Sequence, residues 1–172
     1  QVLADLMTIR EKFGSFSGLK MCFIGDGNNM ANSLIVGGLK VGMNVAVATP
    51  DGYKPDGAVL EFTKGYGDKF ALETDPFMAA SGADILITDT WTSMGEEAEK
   101  EERKKIFKDY QINKQLLAAA NAGAMVQHCL PAYRGQEITE EVFEEHADEI
   151  FNEAENRLHV QKAVLAILLA GK

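Results

Sequence analysis

The sequence is poor in cysteine, in basic residues and in long apolar runs, and each shortage closes off a class of function. Two cysteines in 172 residues build no disulfide framework, so a reducing, cytoplasmic setting is the expectation. Lys and Arg number 17 against 26 Asp and Glu, which leaves a net charge of -9. Such a surface is repelled by phosphate backbones and anionic lipid, so neither nucleic acid nor a membrane surface is an expected partner. The longest apolar run, 163–170, falls far short of the roughly 20 residues that span a bilayer. The chain opens without a basic segment followed by an apolar one, so no secretory leader is read there. His128 and Cys129 are adjacent and have no second His or Cys pair at ligand spacing, so no metal is expected.

What remains is a soluble globular composition, 46% apolar and 25% charged, in a chain long enough for one real core. Five short apolar runs stand out at 20–25, 44–49, 69–73, 83–89 and 124–130. Most are continuously apolar rather than alternating, as strands covered on both faces are. Helical patterns separate them at 29–39, 58–66, 76–81, 97–110 and 113–121. This alternation predicts a doubly wound α/β domain, a five-stranded parallel sheet in the order 3-2-1-4-5 with helices on both faces. Two further helices are expected at 2–13 and 156–170, outside the strand alternation. The acidic stretch 137–155 carries no Lys or Arg and reads as a solvated surface.

Ligands of open parallel sheets bind beyond the carboxyl ends of the strands, where strand order reverses. The loops leaving the first, fourth and fifth strands are the richest in polar residues, and the predicted order brings them together. The first, GDGNN at 25–29, feeds amides and two Asn side chains into a helix start, a place suited to a carboxylate or phosphate. It lacks the third glycine of a dinucleotide fingerprint, since Met30 stands there, and so no nicotinamide is expected. In the fourth-strand loop, DTWTSMG at 89–95, Asp89 and Ser93 fit either helix-capping and turn roles or a site in which Asp89 takes an ammonium group and the turn around Ser93 and Met94 takes an anion. Trp91 fits a packing role or a site wall equally. In the fifth, HCLPAYRG at 128–135, Cys129 is either a small buried apolar residue or part of a site. A Cys–His hydrolase is disfavoured because neighbours on a strand point to opposite faces. Arg157 fits a surface residue or an anion clamp.

DTWTSMG, HCLPAYRG, GDGNN and EAENRLHVQKAVL at 153–165 occur together in an order that resembles the ornithine carbamoyltransferase family. Gln1 to Leu6 is similar to the tail of that family's H-P-x-Q-x-L-x-D-L segment. The likeness covers residues 1–172 as the second, ornithine-binding domain. Aspartate carbamoyltransferases share the fold but lack the S-M-G loop. The resemblance implies transfer of a carbamoyl group from carbamoyl phosphate to L-ornithine, giving L-citrulline and phosphate, without a cofactor. It implies that Asn29, Asp89, Ser93 and Met94 bind ornithine. Gln1, Cys129, Leu130 and Arg157 would meet carbamoyl phosphate, and Cys129 would also be catalytic. It further implies that the helices at 1–13 and 156–170 contact a carbamoyl-phosphate domain absent from these 172 residues, and that the full-length protein is a homotrimer or a multiple of trimers. The alternatives are a carbamoyltransferase for another amine and a non-catalytic small-molecule binding module.

Overall fold

The computed structural model describes residues 1–92 and 100–170. Five parallel strands form one sheet: β1 (Lys20–Ile24), β2 (Asn44–Ala48), β3 (Phe70–Glu73), β4 (Ile85–Thr88) and β5 (Met125–His128). Their order is β3-β2-β1-β4-β5, as the sequence pattern predicts, and every pairing is parallel. The strands are continuously apolar because alternate side chains enter two separate cores. Met21, Phe23, Val45, Val47, Ile85 and Ile87 pack beneath α1 (Val2–Phe13) and α2 (Asn29–Lys40). Cys22, Ile24, Ala46, Ala48, Leu86 and Val126 face the other way. They meet α4 (Pro76–Ala80), α6 (Lys114–Leu117), α7 (Glu140–Glu145) and Phe107 of α5 (Lys100–Phe107).

Local chemistry sets the helix starts. Asn28 accepts from the amides of Met30 and Ala31, Asp75 from Phe77, Asn113 from Leu116 and Thr139 from Val142. α3 (Gly57–Thr63) opens on Asp56 and passes into a 3-10 turn at Lys64–Lys69, so the helix expected over 58–66 ends early. The segment expected to be helical from 97 lies partly outside the described residues; from Lys100 it is α5, followed by a 3-10 turn at Lys108–Tyr110.

The largest departure from the sequence expectation is the last helix. α8 runs Ala147–Leu169 and so begins well before residue 156. Of the acids in 137–155, Glu140, Glu141, Glu144, Glu145, Asp148 and Glu155 are exposed as the solvated reading expects, but Glu137, Glu149 and Glu153 are drawn inward. β5 is the sheet edge, and its outward N–H groups need acceptors. Glu149 accepts from Val126 N–H at 2.9 Å and Glu153 from His128 N–H at 3.0 Å. Four helical residues advance roughly 6 Å and two strand residues roughly 6.6 Å, so carboxylates one turn apart match alternate edge amides. Glu137 and Glu153 are buried for this kind of work, not for solvation. α1 lies against α8 and is pinned by Asn156 to Thr8 at 2.9 Å, by Asn156 to Glu11 at 2.7 Å and by a Lys12–Glu149 ion pair. Beyond this clasp, α8 exposes Leu158, Leu165, Ile167, Leu168 and Leu169.

Burial opposes the ionisation of Glu149, but hydrogen bonds from His146, Lys12 and Val126 N–H outweigh it and hold its carboxyl at about 2, below the usual 4.5. A depressed folded-state pKa gives stability that is present above 4.5 and lost as pH falls towards 2. Glu149→Gln is therefore expected to lower the urea midpoint at neutral pH and to flatten its fall between those two values. A pH series of urea titrations checks this.

Candidate functional site

The loops after β1, β4 and β5 meet at the carboxyl edge of the sheet. They border a cleft of about 420 Å³ whose lining includes Asn29, Asp89, Thr92, Cys129 and Leu130. Gln1 from the start of α1 and Arg157 from α8 close its other side. These groups converge because β1 and β4 are adjacent and β5 lies beside β4, so the segments that follow the three strands are neighbours. This is the position that the reversal of strand order favours for a ligand.

Asp89 is the most constrained group there. Its Oδ1 accepts from its neighbour's amide, Thr90 N–H, at 2.7 Å and from the Cys129 thiol at 2.9 Å. Its Oδ2 faces the Asn28 side-chain amide at 3.4 Å. Asn28 thus works twice, capping α2 with its oxygen and steadying Asp89 with its nitrogen. The sequence places both Asn28 and Asn29 at a helix start suited to an anion, and the resemblance singles out Asn29; the structure gives Asn28 the cap, for which Asn is a preferred residue, and the support of Asp89. Asn29 is exposed and free to meet a ligand.

Burial pushes the Cys129 thiol far above its ordinary range, and the charge of Asp89 and the hydrogen bond to it push it further. The group is a thiol that donates, not a thiolate. Cys22, wholly buried in mid-strand, is pushed up to about 12 by burial. Alkylation by iodoacetamide at pH 8 is expected to be at least about tenfold slower in the folded chain than in urea, since the thiolate is the nucleophile. A time course of mass shifts measures it.

His128 has a structural task that sequence reading did not give it. Its Nδ1 accepts from Leu130 N–H at 2.9 Å, so the ring proton sits on Nε2 and faces Glu137 Oε1 at 3.1 Å. Glu137 Oε1 also accepts from Tyr133 N–H at 2.5 Å. These bonds hold the turn at Leu130, whose φ of 53° is unusual for a side chain of this size, and the Leu130–Pro131 bond is cis. The turn aims Cys129 and Leu130 at the cleft. The rings of His128 and thiol of Cys129 go to different partners, as expected for strand neighbours.

Trp91 is a packing residue. It is 5% exposed and stacks on Phe107 at 6.1 Å. Its carbonyl accepts from Arg103 Nε, and the Arg103 guanidinium lies over Tyr53 and Phe107 while pairing with Asp26. The loop after β4 is thereby tied to the loop after β1.

Comparison with known proteins gives this geometry a family. Residues 17–168 match the family model described as aspartate/ornithine carbamoyltransferase, Asp/Orn binding domain. The chain belongs to that family. Among curated relatives, an ornithine carbamoyltransferase of Gloeobacter violaceus is 56% identical over 176 residues, covering 100% of this chain and 56% of its own length. The solved ornithine carbamoyltransferase of Pyrococcus furiosus superposes with a TM-score of 0.91 at 47% identity, covering 99% of this chain and 56% of that one. The anabolic enzyme of Campylobacter jejuni gives 0.92 at 44% identity, with 99% and 58% covered. The chain therefore spans a little over half the length of the relatives it matches.

Of the residues that the carbamoyltransferase resemblance singles out, six lie around the cleft: Gln1, Asn29, Asp89, Cys129, Leu130 and Arg157. Arg157, open between surface and clamp on position alone, is exposed yet borders this space. Ser93 and Met94 lie outside the described residues. Met30, in place of a dinucleotide glycine, stands in the first turn of α2, where it is buried in the core and borders the cleft. No helix among the described residues is long and apolar enough to cross a membrane.

Proposed function

We propose that this chain is the ornithine-binding half of an ornithine carbamoyltransferase, which forms L-citrulline and phosphate from L-ornithine and carbamoyl phosphate. The observation that carries the reading is the Asp89–Cys129 pair, 2.9 Å apart, inside a cleft that also holds Asn29, Gln1 and Arg157. Asp89 is a fixed anion for the α-ammonium of an amino acid. Asn29 and the turn at Ser93 and Met94 take its carboxylate. Arg157 and Gln1 meet carbamoyl phosphate, and the Leu130 turn borders the reacting carbon. The amine of ornithine has a free pKa near ~10.4, so it must lose a proton before it attacks. Burial chiefly opposes ionisation of Cys129 and the charge of Asp89 adds to it; an ammonium on Asp89 cancels that addition, and once the thiol has given its proton to solvent the thiolate accepts the proton of the δ-ammonium. The neutral δ-amine then attacks the carbamoyl carbon, the C–O bond to phosphate breaks, phosphate leaves with the electron pair, and the remaining extra proton of the amine passes to the phosphate. Orientation and stabilisation of the developing oxyanion supply most of the rate. No metal or organic cofactor enters this scheme.

The remaining half of the enzyme would supply the phosphate-binding loop, and the exposed apolar end of α8 and the start of α1 would face it. The complete protein would be a cytoplasmic homotrimer or a multiple of trimers. The test mixes the 172-residue chain with a separately produced carbamoyl-phosphate domain and measures citrulline. Turnover is expected in the mixture and negligible turnover with either part alone. A mixture that binds both substrates without forming citrulline would overturn the reading in favour of a binding module. A preference for an amine lacking the free α-ammonium would overturn the choice of ornithine.

A further inference from the structure

One cluster beside the cleft has no part in the scheme above. Asp5 of α1 and Glu153 of α8 are 0% and 1% exposed, and Asp5 Oδ2 has no hydrogen-bond partner among the described residues. The Gln1 side-chain amide lies between them. Its Nε2 donates to Asp5 Oδ1 at 2.6 Å and to Glu153 Oε1 at 2.8 Å. Glu153 Oε2 accepts from His128 N–H, on the residue before Cys129. One turn further along α8 stands Arg157.

Two buried carboxylates that accept from one amide nitrogen lie too close together, and too far from water, for both to carry charge, so the arrangement needs one proton between them. Burial raises both groups above the ordinary carboxylate range, Glu153 furthest, and for Glu153 the neighbouring Asp5 adds to the effect. The other charged or titratable groups facing the pair are Arg157 on α8, the Cys129 thiol at the end of β5 and the amino group of Gln1. A primary amide has two N–H groups and one oxygen. Both N–H groups of Gln1 are committed to the pair. Its Oε1 is buried and has no partner among the described residues, and Gln1 borders the cleft.

We propose that Asp5 and Glu153 are positioning residues: by sharing a proton and holding both N–H groups of Gln1, they fix that side chain as a hydrogen-bond acceptor towards the N–H of a carbamoyl-type ligand. The pair also joins α1, α8 and the end of β5, so Gln1, Arg157 and Cys129 are set relative to one another through one buried contact. An amide turned the other way would offer a donor to a donor and lose the ligand. The functional part of this inference rests on the transferase reading; the shared proton does not.

Two experiments separate these parts. In the 172-residue chain with carboxyl-labelled glutamate, carbon NMR is expected to show one Glu signal, absent in Glu153→Gln, that remains protonated at pH 7. Ionisation of every Glu below pH 6 would overturn the pair. In the chain reconstituted with the carbamoyl-phosphate domain, Asp5→Leu removes one of the two acceptors that fix the Gln1 amide while keeping a similar shape. It is expected to raise KM for carbamoyl phosphate on the order of tenfold or more, because displaced positioning groups cost about that much. KM for ornithine should move less than about threefold, since Asp89 and Asn29 are untouched. Asp5→Asn, which still accepts from Gln1, should recover most of the loss. An unchanged KM for carbamoyl phosphate in Asp5→Leu, or no recovery in Asp5→Asn, would overturn the positioning role. Should the wild-type mixture form no citrulline, the transferase reading fails and the NMR titration alone decides the pair.

Discussion

Gly27→Ala is expected to destabilise the chain by about 3 kcal/mol or more and to dismantle the ligand cleft with it, a large value because the obstacle is backbone. A Cβ at Gly27 would stand 2.3 Å from the Lys54 carbonyl carbon, 2.4 Å from Pro55 N and 2.4 Å from Tyr53 O. None of these is the movable end of a side chain. Gly27 N–H also donates to Tyr53 O at 2.8 Å, so the loops after β1 and β2 are joined at this point. Pushing them apart moves Asn28 and Asn29 directly, and Asp89 through Asn28. Urea titration of the variant reads the stability loss. Calorimetry with ornithine, on chain reconstituted with the carbamoyl-phosphate domain, reads the loss of the cleft. A midpoint within experimental error of the parent would show that the two loops separate at little cost.

Asp89→Asn is the second change with a large expected effect, and it leaves the fold in place. The amide keeps the shape of the carboxylate and loses the charge that the proposed α-ammonium needs. Removing one member of a desolvated charge pair typically costs about 2–5 kcal/mol, which corresponds to a loss of ornithine affinity of roughly 30-fold to several thousand-fold. The same change removes the charge and the charge-assisted hydrogen bond that, after burial, raise the Cys129 thiol. Its pKa should fall towards the ordinary range, so alkylation at pH 8 should speed up while ornithine binding weakens. The pH profile of alkylation distinguishes loss of charge from general loosening: lost charge moves the thiol's titration to lower pH, whereas loosening without it speeds alkylation at every pH. Asp89→Glu keeps the charge and should keep the thiol slow to react, even where the longer side chain misplaces the ligand.

The two variants act on different parts of one arrangement. Asp89 is held by a neighbouring amide, by a thiol from the next strand over and by the cap of a helix that begins after β1. Three loops supply these groups, and the sheet order makes the loops neighbours. Gly27 is one of the points at which that convergence depends on backbone contact rather than on side chains.

Much of this was legible from residues alone. Continuously apolar runs separated by helical patterns are what a sheet buried on both faces requires, so strand order and parallel pairing followed from periodicity and handedness. The loops that leave strands 1, 4 and 5 carried the polar residues, and six of the residues that the motifs singled out do surround one cleft. Trp91 stood undecided between wall and core because a large aromatic after a strand fits either, and only the stack on Phe107 assigns it to packing.

What the sequence by itself determined, then, is the alternation of elements, the sheet topology and the loops from which a site is built, because these depend on local patterns of polarity and on backbone chirality. Tertiary structure alone decided the acidic segment. In one dimension, Glu137, Glu149 and Glu153 look like any solvated acids. In three, an edge strand with unpaired N–H groups, a histidine needing an acceptor and an amide needing orientation draw them inward. The demand that buried polar groups be paired acts between residues distant along the chain, and it left no mark in the local pattern around those acids.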